Sequence, residues 1–246
     1  MRIRWREFEL PSGVVHEKAT ATGTYGKFMI EPFERGFGHT IGNGLRRVLL
    51  GAIEGASVTA VEINAVEHEF KTTPGVVEDV VDLVLAFKSL RLRLATEDVA
   101  TLTISKSGPG EVTGADVMCP TGVEVLNPDL HIATLSGDQV FEVVLTARRG
   151  RGYVAAEETG EPTDQIGLIP LDAAYSPVLR VRYEVEATRV GKFTNYDRLV
   201  LEVWTDGTVN PQMALVEAAK IYRKHLNPFV QFRNALQGVP VSEEVK

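Results

Sequence analysis

Glycines crowd the segment from Gly36-Phe-Gly38 through Gly42 to Gly44, between a strand-like run and a helix-like one. Glycine at such a junction lets backbone amides approach a phosphate. The spacing departs from both phosphate-binding patterns. Ile41 stands where a dinucleotide fingerprint needs its third glycine, and Leu45 follows Gly44 where a P-loop needs lysine. A nucleotide-binding enzyme built on Gly36–Gly44 is kept as the alternative reading. His39, His68, His131 and His225 are scattered and form no His-x-x-x-His or Glu-x-x-His pair. Glu78, Asp79 and Asp82 make an acidic helix face without the spacing of a catalytic magnesium site. Ser176 lacks the Gly-x-Ser-x-Gly elbow. No catalytic residue, metal site or cofactor is therefore expected. Arg148-Arg-Gly-Arg-Gly-Tyr153 has the charge and aromatic content to touch nucleic acid. A solvated loop or a protein contact is preferred for it, because the whole chain is acidic.

The formal net charge is −7 over 246 residues, so the chain as a whole gains little from counterion release and is a poor DNA binder. With 44% hydrophobic and 24% charged residues it is long enough to build one large core or two modest ones. Cys119 is the single cysteine, which excludes an intramolecular disulfide and a thiolate zinc cluster and fits a reducing, cytoplasmic home. The start Met1-Arg-Ile-Arg-Trp-Arg-Glu-Phe has no apolar signal core, and no stretch is long and apolar enough to span a bilayer.

These residues must be carried by strands and helices that the periodicity locates. Ile3–Leu10 and Tyr25–Phe33 read as strands, the second closed by Pro32. Ile41, Leu45, Val48, Leu49, Ala52 and Ile53 recur at helical spacing and predict a helix over Gly38–Glu54. Val58–Ile63 is a strand. Thr73-Pro74 reads as the cap and first position of a second helix carrying Val76, Val80, Leu83, Val84 and Phe87, with acidic residues first and Lys88 last. Leu90–Leu94, Ala100–Ser105 and Val140–Ala147 read as strands, and the polar, glycine-rich run Arg148–Asp164 as a mobile loop. Strands return around Val181–Val185 and Leu199–Val203, Asp206-Gly207 marks a turn, and Asn210-Pro211 opens a long helix that Pro228 should kink or end. Long helices and strands thus gather at both chain ends, and the middle, from about Ala56 to Ser176, reads as a separate inserted unit.

Two features of the helices are open to a second reading. Gly42 and Gly44 each cost a helix about 1 kcal/mol relative to alanine. Close packing against the chain's own sheet and a helix contact with a second chain explain them equally well. At about 100° per residue, Arg47 points away from the apolar stripe, where a solvated face is the commoner outcome and a partner anchor the functional one. Tyr222 and Phe229 widen the apolar face of the last helix, either for a core or for pairing.

Glu31-Pro-Phe-Glu-Arg-Gly-Phe-Gly-His-Thr-Ile-Gly-Asn-Gly-Leu-Arg-Arg-Val-Leu-Leu resembles the signature of the bacterial RNA polymerase alpha subunit, in its N-terminal domain. Val61-Glu-Ile, His68-Glu-Phe, Gly75-Val-Val-Glu-Asp, Lys106-Ser-Gly, Arg149-Gly-Arg-Gly-Tyr-Val, Tyr175-Ser-Pro-Val and Tyr183-Glu-Val-Glu-Ala-Thr-Arg-Val follow in family order across almost the whole chain. The resemblance implies an α+β fold. Residues 1–55 and 177–246 would form a dimerisation domain of long helices on a sheet, and 56–176 an inserted, mainly-β domain. It implies a homodimer that recruits the beta and beta-prime subunits, serves a nucleotidyltransferase without catalysing, and stays off the membrane. It moves Gly42 and Gly44 toward a helical dimer contact. The expected dimer interface comprises Phe37, Ile41, Leu45, Leu49, Leu215, Tyr222, Leu226 and Phe229. Arg47, the second arginine of Leu-Arg-Arg, matches a position linked to beta binding, and Lys88 one linked to docking the large subunits. Gly44 stands where the family commonly has alanine. Nothing resembling the family's C-terminal DNA- and activator-binding domain follows before Lys246, so direct promoter DNA contact is not expected. A paralogue that regulates polymerase assembly is the remaining alternative.

Overall fold

A short strand, β1 (Val14–His16), pairs antiparallel with β2 (Tyr25–Phe33). In β2 the alternation of the sequence becomes the alternation of a half-buried strand, with Gly26, Phe28 and Ile30 turned inward. Gly36, in the left-handed region at φ 88°, turns the chain into α1 (Phe37–Gly51). Then come β3 (Glu54–Ile63), α2 (Val80–Lys88), β4 (Leu92–Leu94), β5 (Val99–Ser107), β6 (Gly110–Thr113), β7 (Val117–Met118) and β8 (Val123–Val125). The chain continues through β9 (His131–Leu135), β10 (Val140–Arg151), β11 (Tyr153–Val154), β12 (Leu168–Pro170) and β13 (Ala173–Ala174). It finishes with the long strands β14 (Val178–Val190) and β15 (Phe193–Thr205) and the helix α3 (Pro211–Gln237). This computed structural model describes residues 9–64, 66, 73–95, 97–159 and 167–237, with 233–237 by backbone. The fold is α+β and rich in strand.

The residues group into two compact units, one of 1–52, 180–204 and 210–246, the other of 53–179 and 205–209. In the first, a four-stranded sheet runs β1-β2-β15-β14. The pairs Ile30–Leu199, Phe28–Leu201 and Gly26–Val203 share its inner face. On that face α1 seats its buried side, Gly38, Gly42, Leu45 and Leu49. An added Cβ at Gly42 would come within 2.8 Å of both Leu199 and Tyr183, so the missing side chain is what lets helix and sheet meet. The outer face carries Tyr25 beside Trp204 at 5.1 Å, with Arg180 stacked over that indole at 4.7 Å.

The second unit is built on a five-stranded sheet, β12-β3-β10-β5-β7. Its central strand β10 alternates buried Phe141, Val143 and Leu145 with exposed Val140, Glu142 and Val144. Val80, Leu83 and Phe87 of α2 are fully buried and join the same core as Leu102, Ile104 and Leu145.

Several expectations are corrected. Thr73-Pro74 does not start α2. Gly75 at φ 79° breaks the run, Val76 bridges to Leu135 as extended chain, and Asp79 becomes the cap, accepting from the Asp82 amide at 2.8 Å. Arg148–Arg151 is no loop: it completes β10, pairing with β3 from Ser57 to Glu54, because that neighbouring strand extends as far. Tyr153–Val154 is likewise held, against β13. Pro228 does not end α3; the helix runs through it on an exposed stretch, where water can satisfy the carbonyl that loses its donor. Residues Ile3–Phe8 of the expected first strand, His68, and Gly160–Asp164 of the expected loop lie outside the described residues.

Candidate functional site

The N-terminus of α1 carries its own anion. Gly36 supplies no side chain to cap it, and the carboxylate of Asp197 on β15 does so instead. Oδ2 accepts from the Gly36 amide at 2.7 Å and the Gly38 amide at 3.3 Å. Asp197 thus supplies an acceptor at the helix terminus on which the nucleotide reading of Gly36–Gly44 rests, and nothing in the site favours that reading. No local signal could have found Asp197, which lies 161 residues from Gly36 in sequence.

Gly44 and Gly42 are both answered inside the protomer. A Cβ at Gly44 would sit 2.8 Å from the Tyr222 ring, so Gly44 is the seat on α1 for that tyrosine of α3. Own-chain packing, one of the two explanations the sequence leaves open, uses both glycines. The same geometry sorts the expected interface residues. Leu45, Leu49 and Leu215 are buried in the protomer's own core, at 8%, 0% and 9% exposure, so in this conformation they offer a second chain almost no surface. Ile41 and Tyr222 are half-buried. Phe37, Leu226 and Phe229 are open, Phe229 at 78%.

These positions follow from one stripe. At about 100° per residue, Leu215, Ala218, Tyr222, Leu226 and Phe229 share a face of α3. Its first part is buried on the unit's own core, and its last part runs past that core into the open, together with Val230. Aromatic and branched residues held along one exposed helix face form an apolar patch, unlike single scattered side chains.

Arg47 is exposed on α1, away from the buried Leu45–Leu49 side. Its neighbour Arg46 donates to Asn43 at 3.2 Å. Lys88, at the end of α2, is not a free cation. Its Nζ donates to Asp172 Oδ1 at 2.5 Å, and the Tyr153 hydroxyl donates to Oδ2 of the same carboxylate at 3.0 Å. The Lys88 bond holds the Asp172 carboxyl below the usual range, against the opposing pull of burial. The Tyr153 hydroxyl is pushed up, first by that hydrogen bond. Sequence reading missed Asp172 altogether, for want of any spacing that links it to Lys88.

The run Arg148–Tyr153 is also engaged within the chain. Arg149 lies 3.9 Å from Glu54 on β3 and 3.8 Å from Asp98 just before β5, and Arg151 lies 3.9 Å from Glu54. Before α2, Glu78 accepts from the Thr134 amide at 2.7 Å and hydroxyl at 2.9 Å, and pairs with His131 at 2.9 Å. Burial pushes the Glu78 carboxyl up, but those bonds together outweigh it and hold it at about 2.

Residues 61–176, within the unit interposed in the sequence, match the family described as the RNA polymerase Rpb3/RpoA insert domain. That places the chain among polymerase subunits built around such an insert. The chain belongs to the family of DNA-directed RNA polymerase alpha subunits. It is 55% identical to that subunit of Rhodopirellula baltica over 233 residues, which is 95% of this chain and 70% of the relative. It is 49% identical to that of Desulfovibrio desulfuricans over 234 residues, or 95% and 67%. The resemblance carried by Glu31–Leu50 is borne out.

Proposed function

We propose that this chain is an assembly scaffold of DNA-directed RNA polymerase, which pairs with a second copy and then recruits the beta and beta-prime subunits in the cytoplasm. Nucleotidyl transfer takes place in those large subunits. The observation that carries this reading is the α3 stripe, buried at Leu215 and Ala218 and open at Leu226 and Phe229. Fully burying one such side chain contributes about 1.5–3 kcal/mol. A two-fold contact uses each residue twice. Phe37 and Ile41 of α1 with Tyr222, Leu226 and Phe229 of α3 form the contact. Leu45, Leu49 and Leu215 back it from within each protomer. In this reading 1–55 and 177–246 act as the dimerisation domain and 56–176 as the inserted domain. Arg47 and the Lys88 region face the large subunits.

Sedimentation of the purified chain at micromolar concentration tests the pairing: a dimer is expected, and a clean monomer overturns it. Arg47→Ala should leave the dimer intact and weaken capture of the beta subunit by about tenfold. Undiminished co-purification of beta would remove Arg47 from the docking surface.

A further inference from the structure

Helix α1 begins on a turn that its own sequence supports poorly. Phe37-Gly-His-Thr40 includes a glycine and no acidic residue, and Gly36 before it offers no capping side chain. The support comes from two consecutive residues of β15, which hold the connector from β2 at both ends. At the near end, Arg198 donates from Nε and Nη2 to the Glu31 carboxylate at 2.7 and 3.1 Å, and the Thr188 hydroxyl donates to it at 2.7 Å. The register of β2 on β15 slips by one residue here. Ile30 faces Leu199 but Phe33 faces Asp197, so Glu31 and Pro32 together oppose Arg198. At the far end, Asp197 Oδ2 takes the Gly36 and Gly38 amides. An added Cβ at Gly38 would lie 3.1 Å from the Asp197 Cβ and 2.9 Å from Val185, so this glycine lets the turn come down onto the carboxylate. Phe37 stands between the two held amides and is 49% exposed.

We infer that Asp197 is a positioning residue for pairing between two copies of this chain, acting through Phe37, with Arg198 holding the other end of the connector. The inference rests on the scaffold reading, in which Phe37 meets a second chain, and deepens it by naming what presents that ring. With both flanking amides fixed, the ring leaves the helix in one direction before any contact is made, and pairing does not have to order it. Without Asp197, two amide donors of the first turn lose their acceptor, the turn frays, and pairing must order it again. The core does not depend on that turn, because Leu45 and Leu49 anchor α1 about two and three turns further on.

The test is sedimentation of the full chain over a concentration series, each variant being checked for folding by circular dichroism. The unmodified chain is compared with Asp197→Ala, Asp197→Asn, Phe37→Ala and the double variant Asp197→Ala/Phe37→Ala. Each dimer loses two caps, so Asp197→Ala should raise the dimer dissociation constant by about tenfold or more. A single oxygen accepts both amides, so Asp197→Asn, which keeps a carbonyl oxygen, should restore most of the affinity. On the Phe37→Ala chain, Asp197→Ala should add less than about threefold, since the ring it positions is gone. A cap that served stability alone would cost the same in both backgrounds. That equality, an unchanged dissociation constant in Asp197→Ala, or an asparagine variant as weak as the alanine one overturns the inference, while the dimer of the unmodified chain keeps the scaffold reading in place. Should Asp197→Ala fail to fold, Asp197→Ser, whose oxygen ends one bond short, replaces it in the cycle. A monomeric unmodified chain overturns the scaffold reading, and this inference with it.

Discussion

Helices α3 and α2 both bring apolar surface to the outside, and they do it in opposite ways. Along α3 a single stripe changes its fate with distance: Leu215 and Ala218 are core, whereas Leu226 and Phe229 are open. Around α2 the change is by direction: Leu83 and Phe87 are core, whereas Val81 and Leu85, on the same short helix, are open. The open part of the first includes an aromatic, Phe229, and that of the second consists of aliphatic side chains followed by Lys88, whose charge Asp172 answers. What the core covers therefore decides where each stripe is left open, along the helix in one case and around it in the other.

The contrast is broken most sharply at Phe229. Phe229→Asp, combined with Leu226→Asp, should raise the dimer dissociation constant by about a hundredfold or more, roughly 3 kcal/mol. Each protomer should stay folded, because neither side chain is in its core. A dimer of unchanged affinity by sedimentation would remove the α3 stripe from the interface. Gly42→Ala comes next. The new methyl meets Leu199 and Tyr183 in the core, and the strain of about 1–3 kcal/mol outweighs the helix propensity gain of about 1 kcal/mol. A lowered urea midpoint is expected, and a raised one would show that α1 has room to shift.

Glu78 sharpens the α2 side, because it ties the approach to that helix to Thr134 and His131. Its carboxyl is depressed in the folded chain, so its contribution is present above the ordinary carboxylate range of about 4 and is lost as pH falls toward about 2. Urea midpoints measured across that window should fall less steeply for Glu78→Gln than for the unmodified chain. Parallel curves would show that the contacts of Glu78 carry no linked stability. Gly44→Ala has the smallest expected effect. Its methyl meets the ring end of the half-buried Tyr222, which can yield, so propensity gain and strain nearly cancel, within about 1 kcal/mol. A loss as large as that of Gly42→Ala would show that Tyr222 is locked.

Much of this was legible from periodicity. The α1 stripe, the alternation of β2 and β15, and the opening of α3 at Pro211 are written as local patterns. The start of α2 was not. Thr73-Pro74 and Asp79 both have cap chemistry, and the choice between them depends on Val76 pairing with Leu135 and Val77 with Thr134, across a distance no local window spans. Arg148–Arg151 looked like a loop because charge and glycine describe loops. It is strand because β3 lies alongside with unpaired backbone to offer.

The amino-acid order alone determined which residues are apolar, at what period they recur, and the dense motif from Glu31 to Leu50 that places the chain in its family. Those properties are local, or are carried by residue identity. Tertiary structure alone decided that Asp197 caps α1, that Asp172 neutralises Lys88, and where on α3 the core stops covering the stripe. Each of these depends on which distant segments are brought within a few ångströms. Periodicity records that a face is greasy but not what lies against it.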